Sequence, residues 1–207
     1  LAAHEEVTLF EATLLDGRRQ ARVDILRKSP RGFDLYEVKS SSFDPVDAEK
    51  RLDKTGSAFR SLRKPFGIAN EWLEYLEDVT FQVAILRDLH PGIAIRPHLI
   101  LMDKGKVAAH DGMPGWFRIV RRDDGGLHSA EFVGDAELAR RDPLTIGIDV
   151  SAEVEELEPG VRAEAERFIA SLHPEPRRIA PVLEGKCRAC EFRVDPSEPK
   201  NGFLECW

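Results

Sequence analysis

Three residues early in the chain have types and a spacing suited to phosphate chemistry: Asp24, Glu37 and Lys39. The segment Lys28 to Gly32 carries Ser, Pro and Gly and predicts a turn. If that turn centres between Pro30 and Arg31, Asp24 falls opposite Glu37, Arg22 opposite Lys39 and Leu26 opposite Leu35. Side chains alternate along a strand, so Asp24, Glu37 and Lys39 then share one face. Directly opposed like charges destabilise a sheet. Two facing carboxylates therefore call for a cation between them, and Mg²⁺ or Mn²⁺ suits oxygen donors of this kind. Lys39 beside them supplies an ammonium that can orient a water or offset charge on a phosphate.

The elements that must carry these residues can be read from periodicity. Val7 to Leu14 and Gln20 to Leu26 predict two strands joined at Asp16-Gly17, and Phe33 to Lys39 predicts a third, ended by Ser40-Ser41-Ser42. Trp72, Leu76, Val79, Val83 and Leu86 recur at helical spacing and predict a helix over 70–89, stopped by Pro91-Gly92. Strand-like segments follow at 93–102, 116–121 and 129–133, the last two joined by a turn at Asp124-Gly125-Gly126. Val161, Ala165, Phe168, Ile169 and Leu172 predict a second helix, with Pro159 near its first turn. The fold class expected is α/β, a mixed central sheet flanked by helices over residues 1–172. Residues 173–207 form a C-terminal cysteine segment.

Asp24, twelve residues, then Glu37-Val38-Lys39 within the run Asp-Leu-Tyr-Glu-Val-Lys-Ser resembles the core motif of the PD-(D/E)XK nuclease superfamily. That resemblance implies a restriction-endonuclease-like fold in which Asp24 and Glu37 hold the catalytic metal. The Val38 carbonyl would add a ligand, and Lys39 would assist the attacking water. RecB-type members also carry an upstream histidine, for which His4 is the candidate. On the helix they have a Gln-x-x-x-Tyr motif; here Gln82 is kept and Leu86 stands for the tyrosine. Gln82 is thus a candidate for substrate positioning or a core amide capping backbone. Glu11 would face Arg22 across a hairpin turning at Asp16-Gly17, as an outer metal ligand or a plain ion-pair partner. The stretch from Asp149 to Trp207 is similar to RecB-like modules of uncharacterised bacterial proteins.

All three cysteines lie in the last 21 residues, which points to metal rather than a disulfide framework. Cys187 and Cys190 have C-x-x-C spacing, and fifteen residues separate Cys190 from Cys206. Zinc, an iron–sulfur cluster or unliganded thiols are the alternatives, with His173 or His128 able to complete a zinc site. Iron–sulfur-stapled RecB-like nucleases, the AddB and CRISPR-associated types, draw three cysteines from this end. Their fourth comes from upstream, where this chain has no residues.

The net charge of −7 over 207 residues excludes a generally basic nucleic-acid binder and requires any such grip to be local. Candidate clusters are Arg60-Arg63-Lys64, Arg118-Arg121-Arg122, Arg140-Arg141 and Arg177-Arg178. No apolar run is long enough to span a membrane, and no signal peptide is evident, so a cytoplasmic location is expected. The expected activity is metal-dependent DNA hydrolysis on single-stranded or end-containing DNA. The partner expected is the rest of a longer polypeptide or a helicase-like protein. The rival reading is a catalytically idle nuclease-fold module for nucleic-acid binding or assembly.

Overall fold

The structure is a computed structural model describing residues 5–121, 129–141, 143–183, 185–195, 197–198 and 200–202. It divides into two compact units, Leu1–Ala163 and Glu164–Trp207. The first is an α/β unit around a five-stranded mixed sheet of order β1-β2-β3-β4-β7. Its strands are β1 (Val7–Asp16), β2 (Arg19–Ser29), β3 (Gly32–Phe43), β4 (Ile95–Asp103) and β7 (Thr145–Asp149). The first three form an antiparallel meander, β4 runs parallel to β3, and β7 is antiparallel to β4. A separate two-stranded sheet joins β5 (Phe117–Val120) to β6 (Ser129–Phe132); Asp124-Gly125-Gly126 lies outside the described residues. The helices are α1 (Pro45–Thr55), α2 (Asn70–Leu89), α3 (Ala136–Arg141) and α4 (Ser151–Leu172). No helix among the described residues is long and apolar enough to cross a membrane.

One face of the sheet packs under α2, which buries Leu76, Val79, Val83, Ile85 and Leu86 against Val23, Leu26, Leu35, Leu99 and Leu101. These side chains are fully removed from water, and each contributes roughly 1.5–3 kcal/mol of burial. That packing fixes the position of α2 over β3.

The second hairpin turns between Pro30 and Arg31 as expected, with Leu26 opposite Leu35 and Ser29 opposite Gly32. The turn is held from outside. Arg96 Nε donates to Asp34 Oδ1 at 2.5 Å, and its Nη1 donates to the Arg31 carbonyl at 2.9 Å. Gly32, at φ +112°, lies so close to β4 that an added Cβ would stand 2.1 Å from the Ala94 carbonyl oxygen. Only glycine permits both that backbone conformation and that approach.

Four sequence expectations are corrected. The first hairpin turns on Gly17-Arg18, because Gly17 takes a positive φ of 57° and Asp16 pairs with Arg19. Arg22 therefore faces Thr13, not Glu11. Strand β3 runs past the serines to Phe43, because β4 continues the ladder at Ser42 and Phe43 anchors in the core. A helix, α1, occupies a stretch assigned no element, with Asp44 capping its start, Pro45 in its first turn and Gly56 closing it. Finally, α4 begins at Ser151 and contains Pro159 within it, since Val150 and Val154 are core residues that draw the helix start upstream.

In the second unit, α4 runs on to Leu172 and a 3₁₀ turn spans Gly185–Ala189. Arg177 N donates to the Ser171 carbonyl at 2.6 Å, and Asn201 Nδ2 donates to the Val194 carbonyl at 2.9 Å.

Candidate active site

The buried face of β3 changes character half-way along. Phe33 and Leu35 point into the core, Glu37, Lys39 and Ser41 follow on the same side, and Phe43 returns to apolar packing. The polar stretch lies under a matching row on α2. Tyr75, Asp78 and Gln82 are spaced three and four residues apart, so they share one helix face. Alternate strand residues are about 6.6 Å apart and a helical turn rises about 5.4 Å, so the two rows meet pair by pair.

Gln82 Nε2 donates to Glu37 Oε2 at 2.8 Å and to Asp78 Oδ1 at 3.2 Å. Lys39 Nζ donates to Glu37 Oε1 at 2.7 Å and to Asp78 Oδ2 at 2.6 Å. It also lies 5.6 Å from the centroid of the Tyr75 ring, whose hydroxyl is 2.6 Å from Ser41 Oγ. Glu37 is only 6% exposed, and the amide of Gln82 is buried beside it.

Burial pushes the Glu37 carboxyl above its usual range; the Lys39 and Gln82 hydrogen bonds offset this in part, and the Asp78 charge adds to the rise. For Lys39, burial alone would lower the pKa, but the bonds to Asp78 and Glu37 more than reverse it and hold the ammonium above the ordinary lysine value. Lys39 is therefore a fixed cation at neutral pH. It can orient a water or stabilise phosphate charge, but it is a poor proton acceptor.

Asp24 is not held in the ladder position expected for it. The β2–β3 ladder stops at Ile25 opposite Tyr36, so the expected Asp24–Glu37 and Arg22–Lys39 ladder pairs are not made. On its other side, pairing skips from Phe10–Ile25 to Ala12–Val23, leaving Glu11 and Asp24 between them. Glu11 sits at φ +53°, a left-handed conformation that interrupts the ladder. Freed on both sides, Asp24 turns its carboxylate to β3, where Oδ2 accepts from the Val38 amide at 2.7 Å. Val38 itself presents an exposed side chain, 44% accessible. Glu11 pairs with Arg22 Nε at 2.8 Å through mostly exposed side chains. His4, Arg122, His128 and Cys206 lie outside the described residues.

The donor chemistry fits a hard divalent cation. Asp24, Glu37 and the Val38 carbonyl offer oxygen ligands of the kind Mg²⁺ and Mn²⁺ take. Gln82 Oε1, buried beside Glu37, has no hydrogen-bond partner among the described residues. An acceptor with no donor is what a cation neighbour would satisfy. No group of three or more His, Cys, Asp or Glu side chains poised to hold a metal is present among the described residues. Within the cluster, the ammonium of Lys39 bridges Glu37 and Asp78 instead.

Comparison with known protein families, curated proteins and solved structures finds no match for the chain. Asp78 and Tyr75 are the site residues that the sequence reading missed. Their signal was their helical spacing from Gln82, hidden because Asp78 reads as one of several solvated acids in Glu74-Tyr75-Leu76-Glu77-Asp78.

In the second unit, Cys187 and Cys190 sit at the 3₁₀ turn, where the Cys190 amide donates to the Cys187 carbonyl at 3.3 Å. Both are half-buried.

Proposed function

We propose that the chain is a metal-dependent phosphodiesterase acting on DNA, of the PD-(D/E)XK type. The observation that carries this reading is the Glu37–Lys39–Gln82–Asp78 cluster, in which Glu37 and Gln82 are buried, with Asp24 bonded to the same strand one residue away. A purely structural core has little reason to bury the Glu37 carboxylate against an ammonium, since an ion pair in that position rarely outperforms apolar packing. The topology agrees with the restriction-endonuclease-like reading: an antiparallel three-strand meander, helices, then a strand parallel to the third.

Asp24, Glu37 and the Val38 carbonyl are the groups that would hold Mg²⁺ or Mn²⁺. Once bound, such an ion supplies a water of lowered pKa and neutralises charge on the phosphoryl group. Gln82 fixes the Glu37 carboxylate in one orientation through Nε2. Asp78 holds Lys39 so that its ammonium stays charged and localised beside Glu37. Lys39 can then orient the attacking water and stabilise the negative charge that develops on the phosphate. Incubation with labelled single- and double-stranded DNA should give cleavage with Mg²⁺ or Mn²⁺ and none with EDTA. DNA binding without cleavage under every metal condition would support the idle-module reading instead.

Cys187 and Cys190 belong to the proposal as ligands of a second, structural centre, zinc or iron–sulfur, completed by Cys206 and one further ligand. Three cysteines and a histidine can complete a zinc site, so anaerobically purified protein should carry zinc in stoichiometric amount and lose it when Cys187 and Cys190 are both replaced by serine, whereas an iron–sulfur cluster would need a fourth cysteine from elsewhere. Metal-free wild-type protein, or content unchanged by the substitutions, would remove this centre.

A further inference from the structure

A second site on the first unit has a clear electrostatic character that the cluster above does not explain. A cleft of 710 Å³ opens where the loop after α1 meets the first turn of α2, lined by Arg51, Arg63 and Lys64 together with Ser61, Asn70 and Glu71. Arg51 is engaged, donating to Glu71 Oε1 at 2.9 Å and to the Arg60 carbonyl at 3.2 Å. Arg63 and Lys64 are exposed and make no salt bridge with the described residues. With three cations against the single carboxylate of Glu71, the lining is positive in a chain whose net charge is −7. The loop holds its shape by backbone bonds, Ser61 N to the Gly67 carbonyl and Ala69 N to the Phe59 carbonyl, both 2.9 Å. Arg63 and Lys64 are thus borne on an ordered rim.

Helix α2 carries residues of both the cleft and the candidate active site. Arg51 also lines a neighbouring, smaller cleft together with Ser42, Asp44, Asp47, Trp72 and Lys104. The Trp72 ring lies 6.3 Å from that of Tyr75, whose hydroxyl meets Ser41 beside Lys39. Along α2, Asn70 at the cleft and Asp78 at the cluster are separated by about 12 Å of helix rise.

We infer that this cleft binds the phosphodiester backbone of the DNA strand, with Arg63 and Lys64 as its two phosphate contacts. The inference rests on the nuclease reading for its choice of polyanion, but its test does not depend on cleavage. Phosphate contacts hold a strand in register without reading its sequence, and each one releases counterions on binding.

The test is equilibrium binding of a fluorescein-labelled oligothymidylate to the full chain in EDTA, followed by anisotropy over a series of salt concentrations. Arg63→Ala/Lys64→Ala should weaken binding at least tenfold at low salt. It should also make the slope of log K against log salt shallower by about 1.4, the value for two lost single-strand phosphate contacts. The matched control, Arg140→Ala/Arg141→Ala on α3, makes the same change in net charge and should leave the slope as it is. An unchanged slope in the cleft variant, an equal change in the control, or no DNA binding by wild-type protein would each overturn the inference. Wild-type protein that binds in this cleft-dependent way but cleaves nothing would support the cleft and reject the hydrolytic reading alone.

Discussion

Replacing Glu37 with glutamine should lower metal-dependent DNA cleavage by about a thousandfold or more while leaving the metal-free protein no less stable at neutral pH. Activity should fall because a neutral amide cannot replace a carboxylate as a ligand for a divalent cation. Stability should hold because burial already disfavours the charge: the folded-state pKa of Glu37 is raised. A raised carboxyl pKa contributes stability that is fully present below the unfolded value, about 4.3. That contribution is lost as pH climbs through the folded value, so at neutral pH the ionised side chain weakens the fold. A neutral side chain removes this dependence. The new amide can still accept from Lys39, and a flip of the Gln82 amide, whose Oε1 has no partner among the described residues, would turn an acceptor toward its NH2. Melting temperatures of the two proteins should therefore diverge in the variant's favour from about pH 4 toward neutrality. Retained cleavage would remove Glu37 from the mechanism. A loss of more than about 2 kcal/mol at neutral pH would instead make it a structural residue.

Lys39→Met should reduce kcat by about 10²–10³-fold, the usual cost of removing one positioned charge from a transition state. It should also destabilise the metal-free protein, because Glu37 and Asp78 would then face each other without the ammonium that now bridges them. Adding Asp78→Asn should recover much of that stability by removing one of the two like charges, yet restore no activity. Asp78→Asn alone should have a smaller kinetic effect, about tenfold, because Lys39 keeps its bond to Glu37. This pattern separates chemistry from folding. If the double variant is as unstable as Lys39→Met, the lysine acts through packing along its alkyl stem rather than through charge. Full activity in Lys39→Met would exclude it from the reaction.

Local signals in the chain determine much of this protein. The turn residues around Pro30 and Arg31 suffice to set the β2–β3 register, because a short hairpin leaves few ways to pair and a one-residue slip would turn Leu26 and Leu35 out of the core. Helix α2 is legible over its full length, because its apolar residues recur at helical spacing. Strand alternation then places Glu37 and Lys39 on one face, and their mutual hydrogen bond follows from that placement.

The rest belongs to tertiary structure. Asp24 joins β3 through the Val38 amide only because two ladders fail at the same point, one of them at a left-handed Glu11, and no pattern in either strand announces that failure. Asp78 is an acid in an acidic stretch until α2 is laid over β3. The cleft cations, too, are ordinary exposed residues until the loop bearing Arg63 and Lys64 folds against Arg51 and the start of α2. Periodicity records which side of an element is apolar, but a polar side chain takes its role from the partner brought to it. Those partners come from elements far apart in the chain, and only the packing of the core selects them.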